Sequence, residues 1–150
     1  MKSIMTTTLL LIFLALPCTS DAQSDPAEAA SAVFDEFLHL MTNVEMDSVI
    51  ALLSEDALFW GTGSKALVED PAGVNAYFSA LRGNEPGRTV ASKLSTSALV
   101  ISDTLVLVSG MWAVTPNGAA NGTPLRVSMA VALRDDEWKI VQFHNSAVPQ

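Results

Sequence analysis

The stretch "TPLRVSMAVALRDDEWKIVQFHNSAV", Thr123–Val148, decides how the rest of the chain is read. Two runs rich in β-branched, aromatic and small residues flank the turn signal Arg134-Asp135-Asp136. They predict two antiparallel strands, Thr123–Leu133 and Glu137–Val148, joined by a tight hairpin. The same texture continues upstream in "RTVASKLSTSALVI" (Arg88–Ile101) and "TLVLVSGMWAVT" (Thr104–Thr115). Ser102-Asp103 separates these two, and the longer loop "PNGAANG" (Pro116–Gly122) precedes the third strand. Ser, Ala and Gly alternate imperfectly with large side chains, which suits a strongly curved antiparallel sheet with one concave face.

Before Arg88 the hydrophobic period lengthens. Ala30, Val33, Phe34, Phe37, Leu38 and Met41 recur at steps of three and four, one stripe of an amphipathic helix from Pro26 to Met41. Asp25 is its expected N-cap, with proline in the first turn. A shorter helix is expected after Asp47 through "SVIALLS", then a brief strand "ALFW" (Ala57–Trp60) ended by "GTGS". Asp70 and Pro71 repeat the helix-start signal, with Gly83 as the stop. Helices first and long strands afterwards give an α+β domain, its helices packed on one side of a curved sheet.

The first 22 residues are set apart. Lys2 supplies a short positive region, "LLLIFLAL" (Leu9–Leu16) is too short to span a bilayer comfortably, Pro17 breaks it, and Ser20 and Ala22 are small. Residues 1–22 are therefore expected to be a signal peptide cleaved after Ala22, leaving one domain over residues 23–150 in a secreted or periplasmic protein. Cys18 is the only cysteine and lies in that leader. The remaining chain has no thiol for a disulfide, a nucleophile or a metal ligand. A net charge of −8, spread rather than blocked, argues against nucleic acid and against anionic membrane as partners. No metal or cofactor is expected: the two histidines are His39, on the first helix, and His144, in the last strand.

The order helix, helix, short strand, helix, four long strands resembles the cone-shaped α+β fold of the nuclear transport factor 2-like superfamily. That superfamily also holds SnoaL-like cyclases and ketosteroid isomerases. Within it, "DALFWGTGSKALVEDPAGVNAYF" (Asp56–Phe78) and "RDDEWKIVQFHNSAVP" (Arg134–Pro149) are most similar to the branch containing the association (hub) domain of calcium/calmodulin-dependent protein kinase II. The resemblance covers about Val33 to the C-terminus. It implies a mixed, largely antiparallel sheet wrapped around N-terminal helices, and self-association as a homodimer or a larger ring. Met129 stands where that branch carries a pocket arginine. Neither kinase activity nor calmodulin binding is implied, since the chain has no room for a kinase domain.

Several residues carry possible chemistry. With Trp138 fixing the phase of the last strand, Ile140, Gln142 and His144 should share one face and Val141 and Phe143 the other. His144 beside Asn145 and Ser146 could orient a ligand or relay a proton, or it could bond a loop or a second subunit. Arg126 could anchor a carboxylate, or pair with an acid in a dimer interface or on the outer face of the sheet. Trp60, Tyr77 and Trp112 could line an apolar pocket or be ordinary core. Catalysis like that of a ketosteroid isomerase needs an aspartate base inside the cone and a tyrosine or protonated carboxyl as oxyanion donor. Asp56 and Tyr77 are the candidates beside His144, although Asp56 also reads as a turn carboxylate.

Three functions stay open. The first is an exported, self-associating domain that binds a small molecule through Trp60, Tyr77, Trp112, Arg126, His144 and Asn145. The second is an acid/base enzyme acting on a small apolar substrate, isomerase- or cyclase-like, using His144, Asp56 or Tyr77. The third is an assembly module.

Overall fold

The structure, a computed structural model, describes residues 25–149, so the expected leader and its cleavage point lie outside the described residues. Helix α1 runs Pro26–Asn43; Asp25 caps it by accepting a hydrogen bond from the Ala27 amide at 2.9 Å. Its end is a Schellman turn: the Glu45 amide bonds to the Leu40 carbonyl at 3.0 Å and the Val44 amide to Met41 at 3.4 Å. Val44 occupies the left-handed position at φ 60°, where glycine is usual.

Helix α2 (Met46–Ala51) is shorter than "SVIALLS" suggested, because Leu53 and Ser54 already belong to β1 (Leu53–Trp60). Helix α3 (Pro71–Ser79) is capped by Asp70, which accepts from the Gly73 amide at 2.7 Å. It stops before Gly83 because the chain tightens into turns, with the Leu81 amide on Phe78 O at 3.0 Å and the Asn84 amide on Leu81 O at 3.0 Å. Strands β2 (Thr89–Ser102), β3 (Leu105–Pro116), β4 (Thr123–Arg134) and β5 (Glu137–Ala147) follow within a residue or two of their expected limits.

These form one five-stranded sheet in the order β1-β5-β4-β3-β2, with β1 parallel to β5 and every other pair antiparallel. The β4–β5 hairpin turns on Asp135 and Asp136, both at positive φ (48° and 66°), the backbone that a two-residue turn between right-twisting strands requires. Bulges curl the sheet. One falls at Leu94 in β2, between the Lys93–Trp112 and Ser95–Met111 pairs, and beside it the partner strand carries Gly110, where any Cβ would collide with the Ser95 carbonyl. Another falls at Val141 in β5, opposite the Ala130/Val131 step of β4.

Val106, Val108, Val127, Met129, Val131, Ile140 and Phe143 fill the concave face of the curl against Ala30, Val33, Phe34, Phe37 and Leu38 of α1. Thr42 Oγ1 accepts from the Ala91 amide at 2.9 Å, which ties the C-terminal part of α1 to β2. Among the described residues no helix is long and apolar enough to cross a membrane.

Candidate functional site

The bulge at Val141 sets what enters the cone. Ile140 is fully buried, as the sequence implied, but the extra residue shifts the alternation by one. Phase reading had placed His144 with Ile140; the structure instead turns Gln142 and His144 outward and sends Phe143 and Asn145 in. Asn145 is the one buried polar residue among the described residues, at 7% exposure.

Around it lies a cavity of about 300 Å³. Phe37 and Met41 of α1, Phe59 of β1, Tyr77 and Phe78 of α3, Trp112 of β3, Leu125 of β4 and Phe143 of β5 supply most of its wall. The rings pack as a cluster. Phe59 and Phe143 stack at 5.2 Å and 10°, Phe59 meets Tyr77 edge-on at 4.8 Å, and Phe37 meets Trp112 edge-on at 5.9 Å. The Tyr77 hydroxyl end lies on the Gly61 backbone, which has room for it only because residue 61 has no side chain. The strained Val44 also lines this space.

Polar groups gather at one side. Trp112 Nε1 donates to Asn145 Oδ1 at 2.9 Å, and Asn145 Nδ2 donates to Thr62 Oγ1 at 2.6 Å. An indole N–H can only donate, so the amide orientation follows from chemistry. Thr62, Asn84 and Thr89 are exposed at the mouth. Among the described residues that line the cavity there is no Asp, Glu, His, Lys or Arg. Met129 lies fully buried on the concave face of β4.

Three of the six residues picked from sequence as ligand contacts, Tyr77, Trp112 and Asn145, come together here. The other three do not. Trp60, Arg126 and His144 all face the outer side of the sheet, because each is one residue out of phase with a buried neighbour (Phe59, Leu125 or Val127, Phe143). Trp60 pairs with His144 across β1–β5, and His144 with Ser128 across β4–β5. Arg126 lies on the outer face, where its Nη2 donates to the Ala147 carbonyl at 3.1 Å.

Asp56 lies elsewhere again, in an open groove of about 920 Å³ whose walls include Ile50, Leu53, Val74, Arg134 and Lys139. A hydrogen bond from the Ser54 hydroxyl, with a smaller contribution from the Arg134 charge, holds its carboxyl below the usual aspartate range. Asp56, Tyr77 and His144, the three acid/base candidates, therefore occupy three separate places. The sequence did not point to Phe37, Phe59, Phe143 or Thr62 as cavity residues. "GTGS" read only as a turn, and the phenylalanines read as core, which they also are.

A model of the SnoaL-like domain matches residues 30–150. No curated protein matches the chain. Among solved structures, a candidate calcium/calmodulin dependent protein kinase II association domain from Xanthomonas campestris is similar at TM-score 0.71 and 20% identity, over 91% of this chain and 94% of that one. An NTF2-like protein of unknown function from Pseudomonas putida KT2440 gives TM-score 0.73 at 12% identity, over 83% and 87%. A candidate ketosteroid isomerase from Parabacteroides distasonis ATCC 8503 gives 0.70 at 12% identity, over 87% and 93%. At such identities the likeness establishes the nuclear transport factor 2-like cone fold alone.

Proposed function

The chain belongs to the SnoaL-like domain family, and from that premise we propose that it is an exported, self-associating protein that binds a small, mainly apolar molecule in its cone. The observation that carries this reading is the aromatic cavity built around a hydrogen-bonded amide, with no carboxylate, imidazole or ammonium group among its described lining residues. A cavity of this kind is suited to holding a ligand. Proton abstraction or transfer needs a base or acid within hydrogen-bond reach of the substrate. Asp56 sits in a different groove and His144 on the opposite face of the sheet. The isomerase-like reading therefore has only the Tyr77 phenol to work with, which can donate a hydrogen bond but supplies no separate base.

Self-association is supported by the outer face of the sheet. Leu58, Trp60, Leu99 and Leu107 are large apolar side chains exposed there, at 38–61%, and small residues such as Ser109, Ser128 and Ala130 lie between them. A second copy stacked on this face would cover it. The similarity to an association domain points the same way. Export rests on the leader pattern in residues 1–22.

Native mass spectrometry of the protein and of Leu107→Glu tests the assembly. A dimer or larger particle that becomes a folded monomer on substitution supports this face; a monomeric unmodified protein overturns it. A thermal-shift screen of one- and two-ring compounds tests the cavity. A concentration-dependent rise that Phe143→Ala weakens supports binding there, and a flat response across the screen counts against it.

A further inference from the structure

Resting on the reading of the cone as a ligand site, we propose that its ligand is uncharged. The geometry points to a flat one- or two-ring molecule carrying a carbonyl beside an N–H or O–H, which engages the unused half of the Asn145 amide.

The hydrogen-bond inventory leads there. An asparagine side chain offers two acceptor lone pairs and two N–H groups. Trp112 takes one lone pair at 2.9 Å, and Thr62 takes one N–H at 2.6 Å. One acceptor and one donor remain, on an amide that both partners hold in a fixed orientation. Asn145 lines the cavity, and this remaining acceptor and donor are complementary to a carboxamide or lactam, which presents one of each. A Thr62 hydroxyl that accepts from Asn145 keeps its own O–H to donate.

Charge excludes the alternatives. An ion inside this cavity would face rings and methyl groups with no counter-ion among the described lining residues, in surroundings where unpaired charge is costly. Arg126, the sequence's candidate carboxylate anchor, lies on the other side of the sheet and bonds to Ala147. Size and shape fit as well. About 300 Å³ corresponds to roughly ten waters' share of liquid volume, enough for one or two rings. The aromatic side chains of Phe37, Phe59, Tyr77, Trp112 and Phe143 in the wall offer ring surfaces to a planar guest.

The test compares 2-naphthamide, 2-naphthoate and naphthalene by calorimetric titration of the unmodified protein at pH 7.5. The amide should bind at least tenfold more tightly than the carboxylate, and also more tightly than naphthalene. Asn145→Asp keeps an acceptor for Trp112 but introduces a charge. It should shift the ratio of 2-naphthylmethylammonium to naphthamide affinity at least tenfold toward the cation. Naphthoate binding as tightly as naphthamide, or a ratio that does not move in a folded Asn145→Asp protein, overturns the inference while leaving the cone as a binding site. If none of the three probes binds the unmodified protein, the binding reading itself falls, and this inference with it.

Discussion

Gly61→Ala is a substitution for which backbone and packing arguments give opposite signs, and the structure decides between them. Gly61 has no left-handed φ, so alanine suits its backbone. Reduced freedom of the unfolded chain would then stabilise the protein by about 0.4–1 kcal/mol. Against that, an added Cβ would overlap Tyr77 Cζ and the hydroxyl, far inside the 3.0 Å that real Cβ contacts respect. The phenol has little freedom to yield, since its ring lies 4.8 Å from Phe59 and 5.2 Å from Phe78. Relieving such an overlap typically costs about 1–3 kcal/mol. The expected net effect is a destabilisation of about 1–2 kcal/mol. In a Tyr77→Leu background the overlap disappears, so Gly61→Ala should become neutral or stabilising by up to about 1 kcal/mol. Equilibrium urea unfolding of the four proteins, followed by tryptophan fluorescence, gives the double-mutant cycle. A Gly61→Ala that stabilises equally in both backgrounds would refute the packing of Tyr77 on this backbone, and with it the shape assigned to that side of the cavity.

Other expectations follow from single contacts. Asn145→Leu strands the Trp112 indole N–H in a buried site, so stability should fall by about 1–3 kcal/mol in the same unfolding assay, with less loss when Trp112 is already phenylalanine. Val44→Gly should relieve a β-branched residue of its left-handed backbone, a strain of about 1–2 kcal/mol, partly offset by the lost side chain; a raised unfolding midpoint checks it. Asp56 and Glu137 both titrate below their usual range, through hydrogen bonds from Ser54 and Lys139 respectively. A depressed carboxylate pKa contributes stability that is present above the unfolded value and lost as pH falls through the folded one. Stability should therefore decline below about pH 4, and Asp56→Asn with Glu137→Gln should flatten that decline slightly, since solvent screens both groups.

Much of the fold was legible because its signals are local. Asp25-Pro26 and Asp70-Pro71 start helices wherever they lie, and the texture of β2 to β5 placed those strands within a residue or two. The start of β1 was not legible. Leu53 joins the sheet by pairing with Ile140, and its amide neighbour Leu52 accepts from Ile140 N at 2.8 Å, partners far along the chain. Read locally, "SVIALLS" continues a helix. The cavity was legible by half for a related reason. Trp112 and Tyr77 stood out as residue types, whereas Phe37, Phe59 and Phe143 differ from core phenylalanines only in having open space beside them.

The placement of His144 turned on one residue of strand phase. Read with strict alternation, β5 puts Gln142 and His144 on the face of Ile140, where an imidazole could orient a ligand, relay a proton, or bond a loop or a second subunit. The Val141 bulge directs Phe143 and Asn145 in instead, and the interior gains an amide that cannot accept a proton at neutral pH. Nothing in "KIVQFHNS" announces the bulge, because a bulge belongs to a pair of strands: it exists where β4 passes from Ala130 to Val131 while β5 passes from Gln142 to Ile140. The same bend then helps position the elements that complete the site. It carries the end of β5 to where Asn145 meets both Trp112 of β3 and Thr62 of the loop after β1, three segments that no local pattern connects. Curvature and chemistry in this cone thus share a cause, and a change that straightens β5 should cost the hydrogen-bonded amide as well as the hollow that surrounds it.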